Sequence, residues 1–273
     1  MRYRLLALDL DDTLLDENSR ISSRNRETIQ KALEKGIRLV IATGRMFKTS
    51  VPYLSELGLN DDRPIINYHG ALVKKSRSKE ILLQRPIDKD IALSIAEEGE
   101  RSKLHVSFFV DDDLYVGKET EQSRFYQTLA KIEVNEVGCL SKFIEEQDYR
   151  PTKMSIIRWD GTLDATEDKL KERFGSKLSI LQSRPYFLEI TDRQATKGQT
   201  LQWFAEREGI KREEIIAFGD GHNDLDMISY AGLGIAVANA RPALLEVADY
   251  ITTSNNEDGV AAALERFVLD YPG

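Results

Sequence analysis

Apolar runs alternate with amphipathic stretches along both ends of the chain. Residues 4–9 (RLLALD) form a short, nearly continuous apolar run, as expected for a parallel strand buried on both faces. Residues 22–36 predict a helix: Ile29 and Leu33 lie four apart, polar residues fill the other face, and Gly36 stops it. IRLVIA (37–42) predicts a second buried strand, 46–57 a helix, and PIIN (64–67) a third strand. The C-terminal part repeats the pattern, with a helix at 197–208, a strand at 214–220, a helix at 223–231 and a strand at 233–238. A final helix near 257–269 carries Val260, Leu264 and Val268 at four-residue spacing. Such alternation predicts βαβ units, so the two ends are expected to form one α/β domain with a doubly wound, Rossmann-like parallel sheet.

The middle has another rhythm. HVSFFV (105–110) and LYVG (114–117) flank Asp111-Asp112-Asp113, a hairpin pattern with turn-favouring residues. KMSIIRW (153–159), KLSILQ (177–182) and YFLEI (186–190) predict further strands, with helices near 88–100, 121–131 and 163–174. Adjacent strands with helices to one side predict an α+β module with a largely antiparallel sheet. The expected organisation is a core of residues 1–83 and 190–273 with an inserted domain at 84–189.

Composition narrows the function classes. The 273 residues are 41% hydrophobic and 31% charged, with a formal net charge of −8, enough apolar content for a substantial core. An acidic balance argues against nucleic-acid binding, which usually needs a basic face, but not against an anionic small substrate. The single cysteine, Cys139, allows no internal disulfide and is expected to be a small buried residue. MRYRLLALDLDD lacks the apolar run and cleavage site of a signal peptide, and no stretch reaches the length of a membrane span. A cytoplasmic protein without a membrane partner is expected. Nothing in the pattern selects between monomer and homodimer.

The acidic residues that follow the first strand are the main chemical signal. In an open α/β sheet, ligands bind outside the carboxyl ends of the strands. Asp9 closes the first strand, Asp11 follows two residues on, and Asp220 closes EIIAFGD at the same edge. Converging carboxylates need a neutraliser, and Mg2+, which prefers oxygen ligands, suits them. A calcium loop is a poor alternative, because Thr13 and Leu14 stand where a third acid and a glycine belong. The same edge carries anion-holding groups: Thr43-Gly44-Arg45 leading into a helix, Lys197 opening another, and the Gly-rich turn GDGHND (219–224).

Together these residues resemble the haloacid dehalogenase superfamily, in its Cof-type branch of capped phosphatases. Asp9-Leu10-Asp11-Asp12-Thr13 matches the DxDxT motif, and Thr43 matches the hydroxyl after a hydrophobic strand. Lys197 in ATKG matches the basic motif, and Gly219-Asp220-Gly221-His222-Asn223-Asp224 matches GDxxND. GIAVANA (234–240) and EDGVA (257–261) extend the likeness. His69 and Thr196 depart from the branch's usual Asn and Ser, positions not expected to touch the chemistry.

The resemblance implies a Mg2+-dependent phosphatase acting on small phosphorylated metabolites, sugar phosphates first. Asp9 would be the nucleophile that forms an aspartyl-phosphate, and Asp11 the acid and base. Asp9, the backbone carbonyl of Asp11 and Asp220 would hold the metal. Thr43, Lys197, Asn223 and the N–H groups of Leu10 and Gly44 would bind phosphoryl oxygens, and Asp224 would orient the metal's waters or Lys197. Arg45 would contact phosphate or form an exposed salt bridge. The insertion would be a cap that sets specificity, with Arg184, Tyr186 and Phe187 as candidates. Two other functions fit the motifs: a phosphomutase on the same fold, and a non-catalytic phosphometabolite-binding protein.

Overall fold

A computed structural model describes residues 2–270, the side chains of Leu129 and Ser183 excepted. In chain order, the first segment holds β1 (Leu5–Leu8), α1 (Ser23–Glu34), β2 (Arg38–Ala42), α2 (Phe47–Glu56), β3 (Pro64–Asn67), β4 (Leu72–Lys75) and β5 (Ile81–Gln84). The middle holds α3 (Lys89–Arg101), β6 (His105–Val110), β7 (Asp113–Val116), α4 (Glu121–Ala130), β8 (Val134–Glu136) and α5 (Leu140–Gln147). It continues with β9 (Lys153–Ile157), α6 (Asp164–Phe174), β10 (Leu178–Arg184) and β11 (Phe187–Asp192). The last segment holds α7 (Lys197–Arg207), β12 (Ile215–Gly219), α8 (Leu225–Tyr230), β13 (Leu233–Ala236), α9 (Pro242–Val247), β14 (Tyr250–Ile251) and α10 (Gly259–Leu264). The chain divides into two compact units. One takes residues up to 45, 50–82 and from 196 on; the other takes 46–49 and 83–195.

The first unit is built on a sheet in the order β14-β13-β12-β1-β2-β3-β4-β5. β1 is fully buried, as its apolar run requires, and pairs in parallel with β2 on one side and β12 on the other. Leu8 lies level with Ile41 and with Phe218. Strand order therefore reverses at β1, and the carboxyl ends of β1, β2 and β12 open onto one crevice. Local chemistry sets the flanking elements. Ser22 caps α1 by accepting from the Asn25 N–H at 3.0 Å, and Gly36 at φ +90° ends the segment.

One part of this sheet departs from the all-parallel expectation: β4 runs antiparallel to β3. The reason is the tight turn Tyr68-His69-Gly70, whose φ angles are all positive (51°, 59° and 114°). It reverses the chain on the spot, so no crossover helix follows β3.

The second unit has a six-stranded sheet, β10-β11-β9-β6-β7-β8, antiparallel except for the β7–β8 pair. Strand alternation sends Phe108, Met154, Ile156, Leu188 and Ile190 into a core with Ile95, Ile144 and Leu170. The opposite face carries Lys153 and Glu189, paired at 2.6 Å and buried, and receives α4 through Tyr126, which stacks on Phe187 at 5.8 Å. So helices lie on both faces, not on one as the pattern suggests. β11 pairs as far as Asp192, beyond the expected limit at 189. One single residue also differs from expectation: Cys139 is exposed at the start of α5. Trp159 is 43% exposed beside Phe125. No helix among the described residues is long and apolar enough to cross a membrane.

Candidate active site

Three strand ends of the first unit supply the site. Asp9 follows β1 in extended conformation and is 4% exposed. Its N–H donates to the Phe218 carbonyl of β12 at 3.2 Å, which holds the two strand ends together. Lys197 opens α7, because Thr196 caps that helix by accepting from the Gln199 N–H. Its ammonium is fully buried and donates to Asp9 Oδ1 at 2.5 Å and Asp224 Oδ1 at 2.6 Å. Asp224 Oδ2 accepts the N–H groups of Asp220 (3.1 Å) and Gly221 (2.9 Å), so this one carboxylate fixes both the lysine and the turn after β12. Asp220 Oδ1 accepts from the Thr13 hydroxyl at 3.1 Å.

Charge is unbalanced here. Asp9, Asp220 and Asp224 offer oxygens within 4.8 Å of one another, against one ammonium. Burial raises the pKa of Asp9 well above the ordinary range; Lys197 opposes the rise, while Asp224, Asp220 and Asp11 add to it. Burial, reinforced by Asp224, pushes Asp220 up to about 7. Lys197 is shifted upward, since Asp224 and Asp9 outweigh the burial that works against its charge. An oxygen-only donor set with surplus negative charge fits a hard divalent cation. Both oxygens of Asp224 are already engaged, whereas Asp9 and Asp220 each have a second oxygen to give.

The anion-holding residues gather beside this cluster. Thr43 is fully buried after β2, with its N–H on the Ile66 carbonyl at 2.9 Å. Gly44 lies against the His69 ring; a Cβ there would sit 2.3 Å from His69 Cε1, so the approach requires glycine. Asn223 Nδ2 donates to His69 Nδ1 at 3.4 Å. Leu10, buried, starts the turn after Asp9. Asp11, by contrast, turns its half-exposed side chain to Arg45, which forks onto both carboxylate oxygens. Asp12 is exposed at φ 57°, its carbonyl accepting from Asn239. His222 is exposed.

The sequence pattern assigns no site role to two residues of this neighbourhood, His69 and Thr13. His69 is wedged between Gly44 and Asn223, and its place just past the end of β3, at the same sheet edge, was the available signal. Thr13 braces Asp220, a contact that only the wide turn over 10–14 creates.

The chain also matches known proteins. A family model described as haloacid dehalogenase-like hydrolase matches residues 6–264. The chain is similar to a crystal structure of a haloacid dehalogenase-like hydrolase from Bacteroides thetaiotaomicron. They share 35% identity with a TM-score of 0.87, over 97% of this chain and 99% of that one. It is 30% identical over 273 residues to the 5-amino-6-(5-phospho-D-ribitylamino)uracil phosphatase YitU of Bacillus subtilis, covering 98% of this chain and 97% of the relative. It also matches the structure of a haloacid dehalogenase subclass IIB sugar phosphatase at 26% identity and TM-score 0.82, over 97% and 98% of the two chains.

Proposed function

The chain belongs to the haloacid dehalogenase-like hydrolases, and we propose that within this family it is a phosphatase that hydrolyses phosphate monoesters of small metabolites, sugar phosphates first. The carrying observation is the buried Lys197 bridging Asp9 and Asp224, with Asp220 alongside, at the strand ends where sheet order reverses. A buried ammonium between carboxylates suits a site that receives a phosphoryl dianion. The sugar assignment leans on two relatives, whose substrates are a sugar phosphate and a phosphorylated ribityl group.

In this reading Asp9 attacks phosphorus with the oxygen that Lys197 does not hold. The new O–P bond forms as the bond to the leaving alkoxide breaks, and Asp11 hands that alkoxide a proton. Water then attacks the aspartyl-phosphate, Asp11 takes its proton, and inorganic phosphate leaves with Asp9 restored. Lys197, Thr43, Asn223 and the N–H groups of Leu10 and Gly44 bind the phosphoryl oxygens. Asp9, Asp220 and the Asp11 carbonyl would hold Mg2+, which supplies charge neutralisation for the transferring group. Asp224 keeps Lys197 and the Asp220 turn in place.

The test is phosphate release from a panel of phosphorylated metabolites, with Mg2+ and with chelator. Wild type should turn over at least one sugar phosphate only with the metal, and Asp9→Asn should lose roughly 10⁴-fold or more of that rate. Undiminished turnover in Asp9→Asn would remove Asp9 as nucleophile. Turnover only with a bisphosphate activator would point to a mutase.

A further inference from the structure

We propose that Arg45 is a positioning residue that holds the Asp11 carboxyl group in the orientation its proton transfers need. The inference rests on the phosphatase reading above and assigns a further part of that reaction.

The root of Arg45 is pinned first. Its N–H donates to Thr43 Oγ1 at 3.2 Å, and its carbonyl accepts from the Tyr68 N–H at 3.1 Å and Asn67 Nδ2 at 3.2 Å. The side chain is then engaged at every guanidinium nitrogen. Nε donates to Asp11 Oδ2 at 2.8 Å, Nη2 donates to Asp11 Oδ1, and Nη1 donates to the Tyr53 hydroxyl at 2.8 Å. The guanidinium also lies over the Tyr53 ring, 4.9 Å from its centroid. Burial works against the Arg45 charge, but the bond to Asp11 more than restores it.

An ordinary exposed ion pair contributes little and fixes no geometry. This arrangement differs, because a planar fork sets the plane and direction of a carboxylate, while Tyr53 sets the plane of the fork. Asp11 needs such help. It is half-exposed, and it sits in the short turn whose next residue has positive φ, so little packing restrains its side chain. A group that gives a proton to one oxygen and later takes one from water must be placed closely in both steps. The fork takes one lone pair on each Asp11 oxygen and leaves a second lone pair on each. Lysine, a point charge on a flexible stem, would neutralise Asp11 without orienting it.

Leaving-group dependence tests this. An aryl ester such as p-nitrophenyl phosphate expels a stable phenolate and needs little proton donation, whereas a sugar phosphate expels an alkoxide and needs it fully. General acid catalysis contributes about 10²- to 10⁴-fold. Arg45→Ala should therefore lower kcat on the sugar phosphate about tenfold or more beyond its effect on the aryl ester, with KM moving less. Arg45→Lys should not restore the difference, and Tyr53→Phe, which keeps the ring, should shift it the same way by less. In an Asp11→Ala background, Arg45→Ala should add no further discrimination. Equal losses on both esters, or full rescue by lysine, would overturn the proposal while leaving the phosphatase reading intact. Should Arg45→Ala fail to fold, Tyr53→Phe decides by the same ratio. Hydrolysis of neither ester by wild type would overturn the phosphatase reading and this proposal with it.

Discussion

Lys197 and His105 show how burial treats two basic side chains differently. Lys197 is fully buried yet stays charged, because two carboxylates lie within 2.6 Å. Among the described residues the partners of His105 are hydroxyls, Thr120 at 2.9 Å and Ser107 at 3.2 Å, and burial lowers its pKa from 6.5 to about 4. The consequence for stability has a definite sign. Between pH 6.5 and 4 the unfolded chain binds a proton at this residue that the folded chain refuses, so stability falls as pH falls through that window. The loss approaches about 3 kcal/mol below pH 4. Urea unfolding of wild type and His105→Gln across pH 4–7 checks it: the gap between the two should shrink or reverse toward low pH. A gap independent of pH would refute the assignment. The sequence placed His105 in a strand, but its depressed pKa was not legible, since that depends on which neighbours burial supplies.

At the scale of elements, the site depends on how closely α7 packs. A Cβ on Gly198 would lie 2.5 Å from the backbone carbon of Asp226, so glycine lets the start of α7 press against α8. Thr200 anchors the next turn by donating to the Gly70 carbonyl at 2.9 Å. Gly198→Ala should therefore destabilise the protein by about 1–3 kcal/mol, as overpacking does. It should also lower turnover, because Lys197 is the neighbouring residue. Paired measurements of unfolding midpoint and phosphate release check this, and a variant unchanged in both would show that α8 yields freely. The sequence marked α7 as a helix at 197–208 opened by Lys197. It did not mark β4, because the reversal after β3 depends on three consecutive positive φ angles, two of them at non-glycine residues.

For the whole molecule, each unit has its own sheet and its own apolar interior. Residues 83–195 bury Phe108, Met154, Ile156 and Leu188 in a cluster drawn from their own segment. This segment expressed alone should unfold cooperatively in urea, with strand signal retained by circular dichroism before the transition. A gradual, non-cooperative loss would show that it needs the rest of the chain. The alternation of β and α patterns at both ends, and its change in the middle, made the α/β class and the family readable from residues alone.

By itself the sequence determined the parallel α/β core, the strands that end in Asp9, Thr43 and Asp220, and membership of the haloacid dehalogenase-like hydrolases. These follow from local periodicity and short spacings, which the chain carries without folding. Only the tertiary structure decided which groups meet: Asp224 on Lys197, Thr13 on Asp220, His69 between Gly44 and Asn223, and the Arg45 fork on Asp11. Those contacts join residues that are up to 207 positions apart. Their partners are chosen by strand register and by the pinning of each turn, so no local pattern encodes them.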